Sequence, residues 1–170
     1  MKKPNSRGLS IRGLTVGALI AAAYTALSLA LAPLSFGYAQ VRVSEALTLL
    51  PLFSPNAVWG VTLGCALTNA VGAAMGVNFG VADVVFGTLA TLVSALLTAR
   101  LSRPRVAGLP ILAPLPPVAV NALVVGVELW YFTSAPLLLC VVGVGFGQLI
   151  SCYGLGLLLV KAMEIGRAHV

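Results

Sequence analysis

From Gly13 to Val160 the chain is an almost unbroken apolar sequence, interrupted by charge only at Arg42, Glu45, Asp83, the Arg100–Arg105 cluster and Glu128. A bilayer-spanning helix needs ~20 mostly apolar residues, and runs of that kind follow one another along nearly the whole length. A water-soluble domain of 170 residues has too little interior to hide such a surface. Apolar residues make up 59% of the chain and charged residues only 8%, against about 25% in an ordinary soluble domain. The chain therefore reads as an all-α integral membrane protein with the lipid bilayer as its solvent. A net charge of +6 does not imply nucleic acid here. The basic residues sit at the ends of apolar runs, where they orient helices in a membrane.

Breakers divide the run into six transmembrane helices. The first extends from about Ile11 to Ala32 and stops at Pro33. It is too long for the apolar core of a signal peptide. A loop at Ser35–Val43 leads into a short apolar helix, Ser44–Phe53, bounded by Pro51 and Pro55. Longer spans follow at about Asn56–Met75, Asp83–Leu101, Pro116–Phe132 and Pro136–Ala162. Gly76–Val81, Ser102–Pro114 and Thr133–Ala135 connect them. Residues 1–164 form a single transmembrane domain. Ile165–Val170 back-translates to a string resembling a sequencing adapter, so it is expected to be an artefactual tail. The only histidine, His169, falls in it. Cys65, Cys140 and Cys152 lie inside apolar runs and have neither disulfide nor zinc spacing. No metal or cofactor is implied.

Charge supplies the orientation. Lys2, Lys3, Arg7 and Arg12, the arginines at 100, 103 and 105, and Lys161 all fall on one side if there are six crossings, and only Arg42 falls on the other. The positive-inside rule then puts both termini in the cytoplasm of a multi-pass plasma-membrane protein. Five crossings would separate the arginine loop from the basic N-terminus, so the short Ser44–Phe53 segment counts as a crossing.

This topology collects the unusual residues towards the outer face: Arg42, Glu45, Asn78, Asp83, Glu128, Trp130 and Tyr131. Ionisable groups at membrane depth are costly and mark functional sites. Each has a structural alternative. Asp83 suits a helix cap, Arg42 and Glu45 at a spacing of three suit an ion pair, and Trp130 and Tyr131 suit an interfacial belt. Glu128 is the hardest to explain that way, because no basic residue lies at helical spacing from it. Asn121 and Gln148 either tie helices together or face the same site. In the first helix, Ala18, Ala22, Ala26 and Ala30 recur every fourth residue. Such a face either packs internally or docks a partner membrane protein.

The run Tyr38-Ala-Gln-Val-Arg-Val-Ser-Glu-Ala-Leu-Thr-Leu-Leu-Pro-Leu-Phe53 resembles the signature of the queuosine-precursor transporter (QueT) family. Asp83-Val-Val-Phe-Gly-Thr-Leu-Ala-Thr-Leu92 and Pro116-Pro-Val-Ala-Val-Asn-Ala-Leu-Val-Val-Gly126 continue the resemblance in order. It implies a substrate-binding S-component of an energy-coupling-factor (ECF) importer. Such a bundle has six helices and a pocket near the outer face, and works with a transmembrane coupling subunit and ATPase subunits. The implied substrate is a 7-deazaguanine-type queuosine precursor, and Ala18, Ala22 and Ala26 match the family's docking face. Arg42, Glu45, Asn78, Asp83, Asn121, Glu128 and Gln148 offer donors and acceptors for a guanine-like edge. Tyr38, Phe79, Trp130 or Tyr131 offer a ring to stack on it.

The chain has no Walker A sequence, so ATP is used elsewhere. Rival readings are an S-component for another vitamin-like molecule, an intramembrane enzyme and a purely structural membrane protein. No nucleophile motif supports an enzyme, and the outer-face acids argue against the structural role.

Overall fold

The computed structural model describes residues 10–36, 40–103 and 105–168, and within these the chain is helical without strands. Five helices are long and apolar enough to cross a membrane: α1 (Ile11–Ala30), α2 (Asn56–Ala74), α3 (Asp83–Arg100), α4 (Leu115–Thr133) and α5 (Leu137–Arg167). Between α1 and α2 lie a single helical turn, Ala32–Ser35, and a 3-10 helix, Val43–Leu52. Solvent-style amphipathicity is inverted. Leu19, Leu138, Phe146 and Leu158 point outwards, while serines, threonines, amides and four ionisable side chains are buried. A bundle in lipid has this arrangement, because the surroundings are as apolar as its own leucines.

Helices α1 and α2 pack face to face and run parallel. Gly13 meets Asn56, Gly17 meets Trp59 and Gly60, and Gly64 meets Ala21 and Tyr24, so the positions climb together. The backbones come so close that a Cβ on Gly60 would lie 2.8 Å from the Gly17 carbonyl oxygen. Thr25 fixes the register by donating to the Gly64 carbonyl at 3.1 Å. Two parallel helices joined in sequence need a return between them, and the 3-10 helix makes it. At about 2.0 Å per residue it covers more height than an α-helix of equal length. Its upper end is tied to α1 by Ser44–Ser28 (2.6 Å) and Glu45–Tyr24 (2.5 Å). Its lower end packs Leu49 against Gly156, Ala113 and Val160.

The remaining helices alternate in direction. Asn69 of α2 meets Asp83 and Gly87 at the start of α3, and Thr98 near its end donates to the Ala113 carbonyl at 3.0 Å. Helices α4 and α5 cross closely at Gly126 against Val141. Ser134, at φ 57°, turns the chain between them and donates its N–H to the Trp130 carbonyl.

Three boundaries differ from the sequence reading. Helix α1 ends at Ala30, before Pro33 rather than at it. A proline continuing the helix would clash with the carbonyl four residues earlier, so the chain breaks at Leu31 and starts a new turn with Pro33 near its N-terminus. The Ser44–Phe53 segment is 3-10, not α. Helix α5 continues past Ala162 to Arg167, with no proline to stop it. Two stretches, Asp83–Gly87 and Leu149–Gly156, are π-helical. Such widened turns often occur at functional sites, and these bury Asp83 in the one and Ser151 and Cys152 in the other.

Candidate functional site

The end of the bundle opposite Arg100 holds a cavity of about 300 Å³, lined by Phe36, Gln40, Asn78, Phe79, Asp83, Leu129 and Thr133 among others. Its rim is the Gly76–Val81 turn, which needs glycine at two points: Gly76 at φ 69° and Gly80 at φ 70°. Asn78 spends its amide on this turn. Its Nδ2 donates to the Asn69 carbonyl (2.9 Å), and its Oδ1 accepts from the Gly80 N–H (2.9 Å). Asp83 reaches back to accept the Phe79 N–H at 2.6 Å, which ties the turn to the start of its helix, and it also lines the cavity. Phe79 stacks on Phe132 with ring centroids 4.9 Å apart, which pins the turn against the outer end of α4.

Within the bundle the five long helices and the 3-10 helix all contribute buried polar groups. Tyr24 comes from α1, Glu45 from the 3-10 helix, Asn69 from α2, Thr91 from α3, Asn121 and Glu128 from α4, and Gln148 from α5. Arg42 enters at the N-terminal edge of the 3-10 helix. No carboxylate approaches it within ion-pair distance; the ion pair found among the described residues is Arg105–Glu164. The expected Arg42–Glu45 bridge is therefore absent. Arg42 precedes the helix and instead lies over the Phe36 ring at 5.2 Å, with one N–H 3.9 Å from the Cys65 sulfur.

Several polar atoms here have no partner: Arg42 Nε, Glu45 Oε2, Asn69 Oδ1, Asn121 Nδ2, Thr91 Oγ1 and both Glu128 carboxylate oxygens. Burying one unsatisfied polar group costs about 1–3 kcal/mol, and more if it is charged. The geometry orders the set. Tyr24 holds Glu45 Oε1 with a 2.5 Å hydrogen bond and leaves Oε2 without a partner. Asn69 Nδ2 donates to the Asp83 carbonyl at 2.8 Å. Gln148 Oε1 accepts from the Cys152 thiol at 3.5 Å.

The structure thus buries Arg42, Glu45, Asp83, Asn121 and Gln148 inside the bundle, with Asn78 at the rim of the cavity; Glu128 is buried too but lines a separate cavity of about 540 Å³ with Phe86, Leu123, Val127, Tyr131 and Phe132. Trp130 does not join them. It is 46% exposed and Tyr131 74%. Tyr38 lies outside the described residues. Sequence reasoning missed Tyr24 and Asn69. Asn69 carried the same signal as Asn121, an amide in the middle of an apolar span. Tyr24 was hidden among small residues, although it carries the sole hydroxyphenyl group of α1.

The alanine face is resolved by the packing of α1. Gly13, Gly17, Ala21, Tyr24 and Ser28 face inwards. Ala18, Ala22, Ala26 and Ala30 are exposed on the opposite side, so they do not serve internal packing among the described residues.

Sequence comparison is consistent with this geometry. The sequence model of the QueT transporter family matches residues 14–164. The curated "Queuosine precursor transporter QueT" of Lactococcus lactis subsp. cremoris (strain MG1363) is 36% identical over 78 residues. That stretch covers 45% of this chain and 43% of the relative. No solved structure matches the chain.

Proposed function

Because the chain belongs to the QueT transporter family, we propose that it captures a 7-deazaguanine-type queuosine precursor at the outer face, as the membrane-embedded substrate-binding subunit of an ATP-driven ECF importer. One observation carries the ligand reading: the set of buried, unpartnered donors and acceptors under the outer cavity. A guanine-like edge presents adjacent N–H donors and a carbonyl acceptor. Glu45 Oε2 accepts from one of the donors, and Asn121 Nδ2 or Arg42 Nε donates to the ligand's carbonyl. The 2-amino group is the discriminating feature, since a site built to pair it rejects a ring that lacks it.

In the same reading the 3-10 helix is a sixth crossing, which the parallel packing of α1 and α2 favours. Arg12, the arginines at 100, 103 and 105, and Lys161 then share the cytoplasmic side with both termini. The outward Ala18–Ala22–Ala26 face receives the coupling subunit. Membership of a transporter family also points away from catalysis. The test is titration of the purified protein, in lipid nanodiscs, with 7-deazaguanine and with its analogue lacking the exocyclic amine. The intact ring should bind and the analogue should bind roughly 30-fold or more weakly. No binding of any deazaguanine would refute the reading.

A further inference from the structure

Recognition of the ring edge leaves Glu128 unused. Its side chain is 6% exposed, and neither oxygen has a hydrogen-bond partner among the described residues. The ion pair among those residues is Arg105–Glu164, so no described cation offsets it. Kept ionised, such a group bears an uncompensated cost of burial; kept neutral, it leaves an O–H without an acceptor. Glu45 and Asp83 escape this through the Tyr24 hydroxyl and the Phe79 N–H. Glu128 lines a groove of about 540 Å³ that is otherwise apolar and shares no lining residue with the cavity at Asp83. Leu123, Val127 and Tyr131 recur at four-residue spacing, so one face of α4 forms a wall, and Phe86 joins it from α3. These four side chains are exposed on the surface of the bundle, which in a membrane-spanning chain is covered by lipid. Tryptophan and tyrosine near the ends of spans settle at headgroup level. Glu128 stands two residues before Trp130, about 3 Å along the helix axis, so a headgroup is within reach.

We propose that this groove binds a phospholipid whose headgroup carries a primary ammonium, with the ammonium donating to both Glu128 oxygens and an acyl chain lying along Phe86, Leu123 and Val127. An ammonium has three donors and no acceptor, which complements a carboxylate with two unpartnered oxygens. The apolar walls receive a chain and give a headgroup no other anchor. Tyr131 and Phe132 add ring surface, which attracts ammonium and trimethylammonium groups alike. Glu128 therefore sets the choice of headgroup. A trimethylammonium group has the charge but no N–H, and a glycerol headgroup has hydroxyls but no positive charge. The site is distinct from recognition of the transported ring and stands or falls independently of it.

The experiment places the full chain in nanodiscs made from equal parts of phosphatidylethanolamine, phosphatidylcholine and phosphatidylglycerol with the same acyl chains, and identifies the lipid retained on the protein by native mass spectrometry. The wild type is expected to retain phosphatidylethanolamine, enriched roughly ten-fold over each of the others. Glu128→Gln should remove the enrichment, and a melting curve like that of the wild type in pure phosphatidylcholine nanodiscs shows that it is folded. Leu123→Trp keeps Glu128 and fills the groove from an exposed position, so it should lose the retained lipid too, and it decides the matter if Glu128→Gln does not fold. Equal retention of the three lipids by the wild type overturns the proposal. Equal retention of phosphatidylethanolamine and phosphatidylcholine over phosphatidylglycerol also overturns it, because the rings rather than Glu128 would then hold the headgroup. An enrichment that survives either substitution in a folded variant does the same. If the wild type shows no enrichment and Glu128→Gln fails to co-purify with the coupling subunit, a basic side chain of that partner occupies the groove and the lipid proposal is overturned.

Discussion

Replacing Tyr24 by phenylalanine removes one oxygen and little else. The ring packs among Val61, Cys65 and Ala95, and Gly64 lies against its Cβ; phenylalanine keeps all of these contacts. What is lost is the 2.5 Å hydrogen bond to Glu45 Oε1, made between a fully buried tyrosine and a carboxylate that is 1% exposed. Glu45 Oε2 already lacks a partner, so the variant leaves the whole carboxylate unsatisfied. A hydrogen bond to a charged group is worth about 1.5–3 kcal/mol, which sets the expected loss of stability. For a chain of this size that corresponds to a fall in Tm of roughly 3–12 °C. Ligand affinity should fall about ten-fold, because the oxygen offered to the ligand is no longer held in one direction. Thermal unfolding in nanodiscs and titration with 7-deazaguanine read the two effects. The double variant Tyr24→Phe/Glu45→Gln closes a cycle that isolates the pair. An unchanged Tm and affinity in Tyr24→Phe, or a coupling energy below ~0.5 kcal/mol, would refute the reasoning.

Three further outcomes are expected. Ala22→Leu should prevent co-purification with the coupling subunit and abolish uptake while ligand binding stays within about three-fold, since Ala22 is exposed and faces away from the interior; normal complex formation and uptake would remove the docking role. A cysteine at Arg103 should react with a membrane-impermeant thiol reagent only after the membrane is opened, and labelling in intact cells would reverse the proposed orientation. Gly87→Ala would put a Cβ 2.6 Å from Asn69 Nδ2, pushing the amide off the Asp83 carbonyl. The expected cost is about 1–3 kcal/mol, and an unaltered melting curve would show that the π turn tolerates a side chain.

The spans were legible because lipid-facing helices need long apolar runs, and only proline, glycine and charge interrupt them. Asn56 and Asp83 begin helices where the sequence reading put them. The buried ionisable residues were legible for the same reason, because a charge in such a run stands out. The partnerships were not. Whether Arg42 pairs with Glu45 depends on where the chain enters the 3-10 helix, and three residues of separation give no helical face when the first lies outside the helix. Tyr24 reaches Glu45 across 21 positions of sequence, through a contact set by the parallel packing of α1 and α2. Periodicity within either segment carries no trace of it. Trp130 illustrates the converse. Its neighbours Leu129 and Glu128 are buried, and one residue along an α-helix turns the side chain by about 100°, out of the site and towards lipid.

Helix α1 carries both proposed roles on opposite sides. Its inner side presents Tyr24 to Glu45 and Ser28 to Ser44, while its outer side presents Ala18, Ala22 and Ala26. The two sides are separated only by the helix itself, about 10 Å across with its side chains. The inner contacts also tie α1 to the 3-10 helix that carries Glu45, so a partner that tilts or shifts α1 acts directly on the carboxylate facing the ligand. Substitutions separate the roles because the faces do not overlap. Tyr24→Phe touches nothing on the outer side, and Ala22→Leu adds bulk only outside. A loss of ligand binding in Ala22→Leu would therefore not be a packing effect inside the pocket. It would have to pass through the backbone of α1 to the Tyr24–Glu45 bond, and Tyr24→Phe, which lacks that bond, should then be insensitive to the added leucine.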